Sequence, residues 1–366
     1  MLKLRSVINE MEHVFPLQLQ EEYDNSGLQV GDYNIKLEGI LITLDCTLET
    51  IKEAKEKGCN LIISHHPLIF KSLKQLSPQN EIGKIIFEAI KNNIAIYSVH
   101  TNADNSINGV NNKIAEKIGL KDISILSSTR SMLRKLVTYC PLSDSEQVRQ
   151  SLFEAGGGCI GNYDSCSFNV EGIGTFKGND LSTPFVGEKN ILHKEKEERI
   201  ELIYPFYKEI ELINALKKTH PYEEVAYDIY KLENNFDNVG SGLIGKLENH
   251  TDAKSFLNKI KEIFNVPHIK YSGEITKKNI QKVALCGGSG SFLIKEAKRQ
   301  GAEIFLTGDI KYHDFFEFTN QFIIADIGHY ESEQFTKELI YEILIKKFPT
   351  FAIYLSEVNT NPIKVF

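Results

Sequence analysis

Cysteine is sparse in this sequence and never closely paired. The six thiols, at positions 46, 59, 140, 159, 166 and 286, include no C-x-x-C spacing. That excludes a zinc ribbon and a dense disulfide framework, and the thiols read as reduced side chains of a cytosolic protein. A basic excess is missing too. The formal net charge is −7, which argues against a dedicated nucleic-acid binder while leaving room for a local basic groove. Nowhere do about 18 apolar residues run together, so no helical membrane span is expected. The opening MLKLRSVINEMEHVF is amphipathic and interrupted by Glu10, Glu12 and His13. It lacks the apolar run and small-residue cleavage site of a signal peptide. A cytoplasmic location is the expectation.

What is present is an ordinary globular composition, 42% hydrophobic and 25% charged over 366 residues. That length suits two domains, or one domain carrying an insertion. The first third alternates short apolar strands (38–45, 60–64, 94–99) with helices (48–57, 82–92, 108–118), two of them stopped by Gly58 and Gly119. Such strands, continuously apolar and separated by three-turn helices, predict parallel βαβ units covered on both faces. The last third repeats the plan, with strands at 282–286, 303–307 and 322–327 and helices at 291–299, 312–319 and 332–347. A strand at 351–355 is expected to close that sheet.

The two thirds also echo each other in detail. Ile51-Lys-Glu-Ala-Lys-Glu-Lys-Gly58 is matched by Ile294-Lys-Glu-Ala-Lys-Arg-Gln-Gly301. His65-His66 follows the next strand in one copy and Gly308-Asp309 in the other. One strand later come His100-x-x-x-Asp104 and His329-x-x-x-Glu333. DNSGLQVG (24–31) has a looser counterpart in DNVGSGLIG (237–245). Several echoes in one order predict an internal duplication. The fold class expected is therefore α/β, with duplicated βαβ lobes at 1–128 and 235–366 forming one metal-binding domain. Between them, 129–234 reads as short alternating strands with helices near 144–155 and 208–218, a ferredoxin-like α+β insertion. Its polar ends, 127–129 and 233–235, read as linkers, and the Gly-rich run 156–161 as a mobile loop.

The chemistry gathers at predicted strand ends. His65 and His66 close a strand, where neighbouring side chains point to opposite faces; Pro67 supplies the turn that lets both serve one site. The carboxyl end of a parallel strand is where open α/β sheets hold ligands. His329 and Glu333 are four apart at a helix start, hence on one face, and His100 and Asp104 repeat that spacing. Ordinary loop histidines are the bland alternative for each pair, but equivalent placement at three strand ends favours a metal site. Imidazoles with carboxylates suit zinc, manganese, iron or nickel. Five or six ligands exceed one tetrahedral ion, so two ions bridged by Glu333 are the better account. Asp24, Asp45, Asp309 and His313 also fall near strand ends, where each can orient a ligand imidazole or be a solvated turn residue. Cys286-Gly287-Gly288-Ser289-Gly290-Ser291 leads into a helix and is either a phosphate seat or a tight turn. His220-Pro221-Tyr222-Glu223-Glu224 reads mainly as a packing or oligomer contact.

These motifs together resemble the NGG-interacting-factor-three-like family, also described as type 2 homologues of GTP cyclohydrolase I. The resemblance covers essentially the whole chain and rests on DNSGLQVG (24–31), ISHHPLIF (63–70), VHTNAD (99–104), LCGGSGSF (285–292), LTGDIKYHD (306–314) and GHYESE (328–333). THPYEEVAYDIYKL (219–232) is similar to the last strand of the PII/CutA-like insert of the long bacterial form. The resemblance implies a dinuclear centre with zinc foremost. His65 and His329 would hold one ion, His66 and Asp104 the other, and Glu333 would bridge. It further implies a homohexameric toroid built as a dimer of trimers, and a metal-dependent hydrolase acting on GTP or a related nucleotide. His100, which the duplication puts in the place of His329, or His313 would then move protons. The alternative is a regulatory or scaffold protein whose inserted module senses an effector or partner.

Overall fold

A computed structural model describes residues 2–276, 279–318 and 322–364. The chain divides into two compact units, residues 1–128 with 237–366, and residues 129–236. Along the first stretch run α1 (Leu4–Val14), β1 (Gly27–Val30), β2 (Ile40–Thr43), α2 (Leu48–Glu56), β3 (Leu61–Ser64), α3 (Glu81–Lys91), β4 (Ala95–Ser98), α4 (Thr101–Asp104), α5 (Val110–Ile118) and β5 (Leu120–Arg130). The smaller unit holds β6 (Leu133–Pro141), α6 (Ser145–Glu154), β7 (Phe168–Phe176), β8 (His193–Pro205), α7 (Glu209–Thr219) and β9 (Tyr227–Lys231). The chain then continues with β10 (Asn235–Asp252), α8 (Ala253–Phe264), β11 (Lys270–Ser272), β12 (Asn279–Ser289), α9 (Ile294–Arg299), β13 (Ile304–Gly308), β14 (Ile323–Asp326), α10 (His329–Glu333), α11 (Thr336–Lys347) and β15 (Ile353–Leu355).

The larger unit contains two sheets, ordered β1-β4-β3-β2-β15 and β11-β14-β13-β12-β10-β5. In each, three consecutive strands run parallel and an antiparallel strand flanks the last of them. Alternate residues of the two sheets (Ile42, Ile63 and Tyr97 from one; Leu285, Leu306 and Ala325 from the other) share one core with α1, α5, α8 and α11. The opposite faces are covered by α2 and α3 on the first sheet and by α9 on the second. Burial on both faces explains why these strands read as unbroken apolar runs. Local signals agree: Thr47 and Thr50 form a capping box at the start of α2, and Gly119 ends α5 in the left-handed region, where glycine carries no Cβ penalty.

Several readings need correction. The strand at 351–355 does not close the second sheet, because β15 pairs in parallel with β2 of the first. The reason lies in packing: α11 lies against α5 and β2, so the chain emerges beside β2, while the place beside β12 is taken by β10. The DNSGLQVG and DNVGSGLIG segments are not equivalent, since β1 flanks β4 and β10 flanks β12; the positional counterpart of β1 is β11. The expected single helix 332–347 breaks at 334–335 into α10 and α11. The helix at 312–319 is a 3₁₀ segment at Tyr312–Glu317, and residue 319 lies outside the described residues.

In the smaller unit the order β7-β8-β6-β9 is antiparallel throughout, the βαββαβ arrangement of ferredoxin-like modules. Leu136, Ile200 and Leu202 face α6 and α7 and form its core. The polar end at 127–129 reads as a linker yet belongs to β5, whereas 233–234 connect β9 to β10, which begins at Asn235. The Gly-rich loop is pinned, with the Gly158 N–H donating to Ile203 O and the Cys166 N–H to Gly158 O.

Candidate metal centre

Each predicted ligand sits just past the carboxyl end of a parallel strand, and the larger unit turns these ends from both sheets toward one cleft. Strand β3 stops at Ser64, and the chain bends at His65 and His66, whose N–H groups donate to Leu44 O. The Ser64 hydroxyl donates to His66 O across the bend. Both rings therefore enter the same site, with centroids 4.9 Å apart. His100 follows β4 and His329 follows β14, each one helical turn ahead of its carboxylate.

The geometry sorts the five expected ligands into two sets that share Glu333. In one set His65 Nε2 lies 3.6 Å from Glu333 Oε1 and 3.8 Å from Asp104 Oδ1. In the other, Glu333 Oε2 lies 3.0 Å from His66 Nε2 and 3.2 Å from His329 Nε2. The division differs from the one the resemblance implied: His65 stands with Asp104, and His66 with His329. The difference arises because His66 turns toward the second sheet, bringing its Nε2 3.3 Å from His329 Nε2.

The second nitrogen of every ring is occupied. His65 Nδ1 donates to Val99 O at 2.8 Å. His66 Nδ1 meets Asp45 at 2.7 Å, His100 Nδ1 meets Asp24 at 2.7 Å, and His329 Nδ1 meets Asp309 at 2.6 Å. Hydrogen bonds of this kind fix ring orientation and leave Nε2 as the ligand atom. Three of the four sequence-flagged orienting residues thus do border the site. The fourth, His313, does not: it is exposed, edge-on to Tyr312 and beside Phe316.

Electrostatics favour a cation here. His65 is fully buried and Glu333 is 3% exposed. His65 Nε2 and Asp104 Oδ1 are buried without a hydrogen-bond partner, a costly arrangement unless a cation lies between them. Burial and the neighbouring Glu333 raise the Asp104 carboxyl. Against burial, the imidazoles of His65, His329 and His66 hold Glu333 well below the usual carboxylate range. Burial also opposes the charged form of His66, but its bonds to Asp45 and Glu333 push it up to about 10; Glu333 and Asp309 push His329 up to about 9. The carboxylates pull protons onto the imidazoles to gain positive charge, which divalent cations among these donors would supply. The Cys286 thiol beside them is pushed up by burial and by the two carboxylates, so it stays neutral and is a poor ligand.

The glycine run 287–290 is not the anion seat that its sequence suggested. The N–H of Gly287 donates to Asn111 Oδ1, that of Gly288 to the Ser332 hydroxyl, and that of Gly290 to the Thr307 hydroxyl. Its glycines serve close approach instead. Gly288 has φ +59°, and a Cβ there would collide with Glu333 Oε1. Gly288→Ala is therefore expected to displace Glu333 and weaken metal binding roughly 10–100-fold, the usual effect of disturbing a ligand's support. Titration with Zn²⁺ in competition with a chelating dye checks this, and unchanged affinity would contradict it.

Sequence reasoning missed the groove's rim and its outer fastenings. A cleft of about 480 Å³ opens over the ligands, walled in part by Tyr23, Phe70, Phe292 and His100. Tyr23 and Phe292 are 66% and 68% exposed, and the Phe70 ring lies edge-on to His100 at 6.1 Å. Thr360, near the C-terminus, donates to Asp45 Oδ2 at 2.6 Å. Unlike His100, Phe70 and Phe292, which fall within marked motifs, Tyr23 and Thr360 carry no local pattern; contacts across the fold bring them in.

A mixed α/β protein with imidazoles and carboxylates placed to bind metal is the class that fold and site define. The chain belongs to the Duf34/NIF3 (NGG1p interacting factor 3) family, whose profile matches residues 2–362. It is 39% identical to the GTP cyclohydrolase 1 type 2 homolog of Bacillus subtilis (strain 168), over 98% of this chain and 97% of that protein. Against the Staphylococcus aureus (strain MSSA476) protein of the same name, identity is 35% over 99% of each. The crystal structure of a Bacillus cereus protein related to NIF3 superposes with TM-score 0.87 at 36% identity, covering 100% of this chain and 99% of that one. A Staphylococcus aureus structure matches with TM-score 0.77 at 31% identity over 100% and 99%. Among the described residues no helix is long and apolar enough to cross a membrane.

Proposed function

We propose that this chain is a dinuclear, metal-dependent hydrolase of a nucleotide-like substrate. The observation that carries the reading is the pair of orphaned buried atoms, His65 Nε2 and Asp104 Oδ1, converging with buried Glu333 and two further imidazoles beneath an open cleft. His65 and Asp104 would hold one ion and His66 and His329 the other, with Glu333 common to both and zinc the foremost candidate. Such a pair supplies Lewis acidity and lowers the pKa of water at the bond attacked. The remaining work falls to the protein. His100, tied through Nδ1 to Asp24, presents Nε2 to the cleft as a proton carrier. Tyr23, Phe70 and Phe292 form a rim on which a planar base can stack.

The substrate suggested by the names of the relatives is GTP, with hydrolytic opening of the guanine imidazole ring at C8 as the reaction. Duplicated lobes, a PII/CutA-like insert, a homohexameric toroid and a cytoplasmic location belong to the same proposal. The purified protein, loaded with Zn²⁺, Mn²⁺ or Fe²⁺, should consume GTP or a related nucleotide when the mixture is followed by chromatography. If no nucleotide is consumed with any of these metals, the cyclohydrolase reading fails.

A further inference from the structure

The smaller unit carries a second cavity, remote in chemistry from the metal cleft. Helices α6 and α7 cover one face of its sheet. On the other face Phe176, Gly174 and Gly172 of β7 alternate beside Glu197 and Arg199 of β8. Together with Tyr139, Phe185 and Tyr222 these residues line a groove of about 690 Å³, within the range of small-molecule sites.

The HPYEE segment builds this groove. His220 is buried and held neutral, chiefly by burial. Its Nε2 donates to Tyr139 O at 2.9 Å and its Nδ1 accepts from the Tyr222 N–H at 3.1 Å. The ring is thus a fixed pin that aims Tyr222, whose hydroxyl donates to Glu197 Oε1 at 2.8 Å. The Tyr222 ring stands 5.8 Å from Phe176 and 6.3 Å from Phe185. The Phe185 loop is tied down by the Thr183 N–H donating to the Glu223 carboxylate.

Glu197 is the unexplained group. It is 8% exposed, a lining residue of an aromatic groove, and Tyr222 is its sole hydrogen-bond donor among the described residues. No Lys or Arg of the described residues pairs with it, since Arg199 reaches Glu201 instead. A Cβ at Gly174 would strike Glu197 Oε2, so the glycine keeps clear the space this oxygen occupies. Carboxylates this buried are normally paired. Glu171, Glu223 and Glu224 outnumber Lys177 and Arg199 around the same groove, which repels anions and favours donors.

We propose that this groove is a binding site for a flat ligand with an N–C–N donor edge, stacked among Phe176, Phe185 and Tyr222 and hydrogen-bonded to Glu197. An amidine or guanidinium cation and a guanine base share that edge. The site is independent of the metal-centre reading. The test uses the full chain, titrated by calorimetry with benzamidine and separately with guanosine. At least one should bind with Kd below about 1 mM, the weak end of specific binding. Binding of benzamidine alone assigns the cation, and binding of guanosine assigns the base. Glu197→Gln should weaken the complex roughly tenfold or more, as expected for a lost charge-assisted bond. Phe185→Ala, at a half-exposed position where folding is safe, should weaken it roughly 2–10-fold through lost stacking. Ile210→Ala, exposed on α7 and lining neither cavity, should change nothing. If Glu197→Gln fails to fold, Tyr222→Phe replaces it and should weaken binding several-fold, because the carboxylate loses the hydrogen bond that fixes its orientation. Absence of binding by both probes overturns the proposal, as does binding that responds to neither Glu197→Gln nor Phe185→Ala.

Discussion

Glu333→Ala should lose both metal ions at once. Its two oxygens face different partners, Oε1 toward His65 and Oε2 toward His66 and His329, so one side chain serves both sets. Asp104→Asn, by contrast, touches only the set built on His65 and should spare the other ion. Metal content after dialysis against a fixed free Zn²⁺ concentration, read by mass spectrometry, separates the two. About two ions per chain are expected in the unaltered protein, as in two-metal hydrolases, about one in Asp104→Asn and well below one in Glu333→Ala. Turnover on any substrate found should vanish with Glu333. Two ions retained by a folded Glu333→Ala protein would refute the shared-carboxylate arrangement.

His100→Ala should show the opposite combination, metals kept and turnover lost. His100 lies among the ligands, its ring 5.2 Å from His65 and 5.4 Å from His66, yet its carboxylate partner is Asp24 rather than Glu333. Asp24 is itself fastened, accepting from the N–H groups of Asn25 and Thr101 and from the hydroxyls of Ser26 and Thr101. Against burial, the His100 bond and these donors hold its carboxyl far below the usual range. Such a fixed anion holds the imidazole in one orientation. Loss of a proton carrier lowers the rate roughly 10²–10⁴-fold. The measurement is kcat of a metal-replete variant, with metal content determined on the same sample. Full activity would reduce His100 to a packing residue.

Much of this protein is written locally. Continuous apolar runs such as LIIS and IIAD form parallel strands because both of their faces are buried, and burial needs only the residue types in order. The i, i+4 spacing of His329 and Glu333, and of His100 and Asp104, places each pair on one helical turn before any tertiary contact forms. Asp24, Asp45 and Asp309 could be suspected from their positions at strand ends. Which His each would hold could not, because the partners lie 76, 21 and 20 residues away.

The sequence by itself determined the alternating β and α elements, the repeated motif order and the five residues that converge. Those depend on periodicity and on short-range spacing, which a chain carries before it folds. Only the tertiary structure decided how the five are shared, because His66 meets His329 across two sheets that the sequence cannot position. It also decided that β15 crosses to the first sheet, since α11 delivers it beside β2 and β10 already fills the other edge. The glycine loop lost its anion-binding reading because Asn111, Ser332 and Thr307, distant in sequence, consume its N–H groups. Glu197 and Tyr222 became a site for the same reason: 25 residues of chain separate them, and only the fold closes that gap.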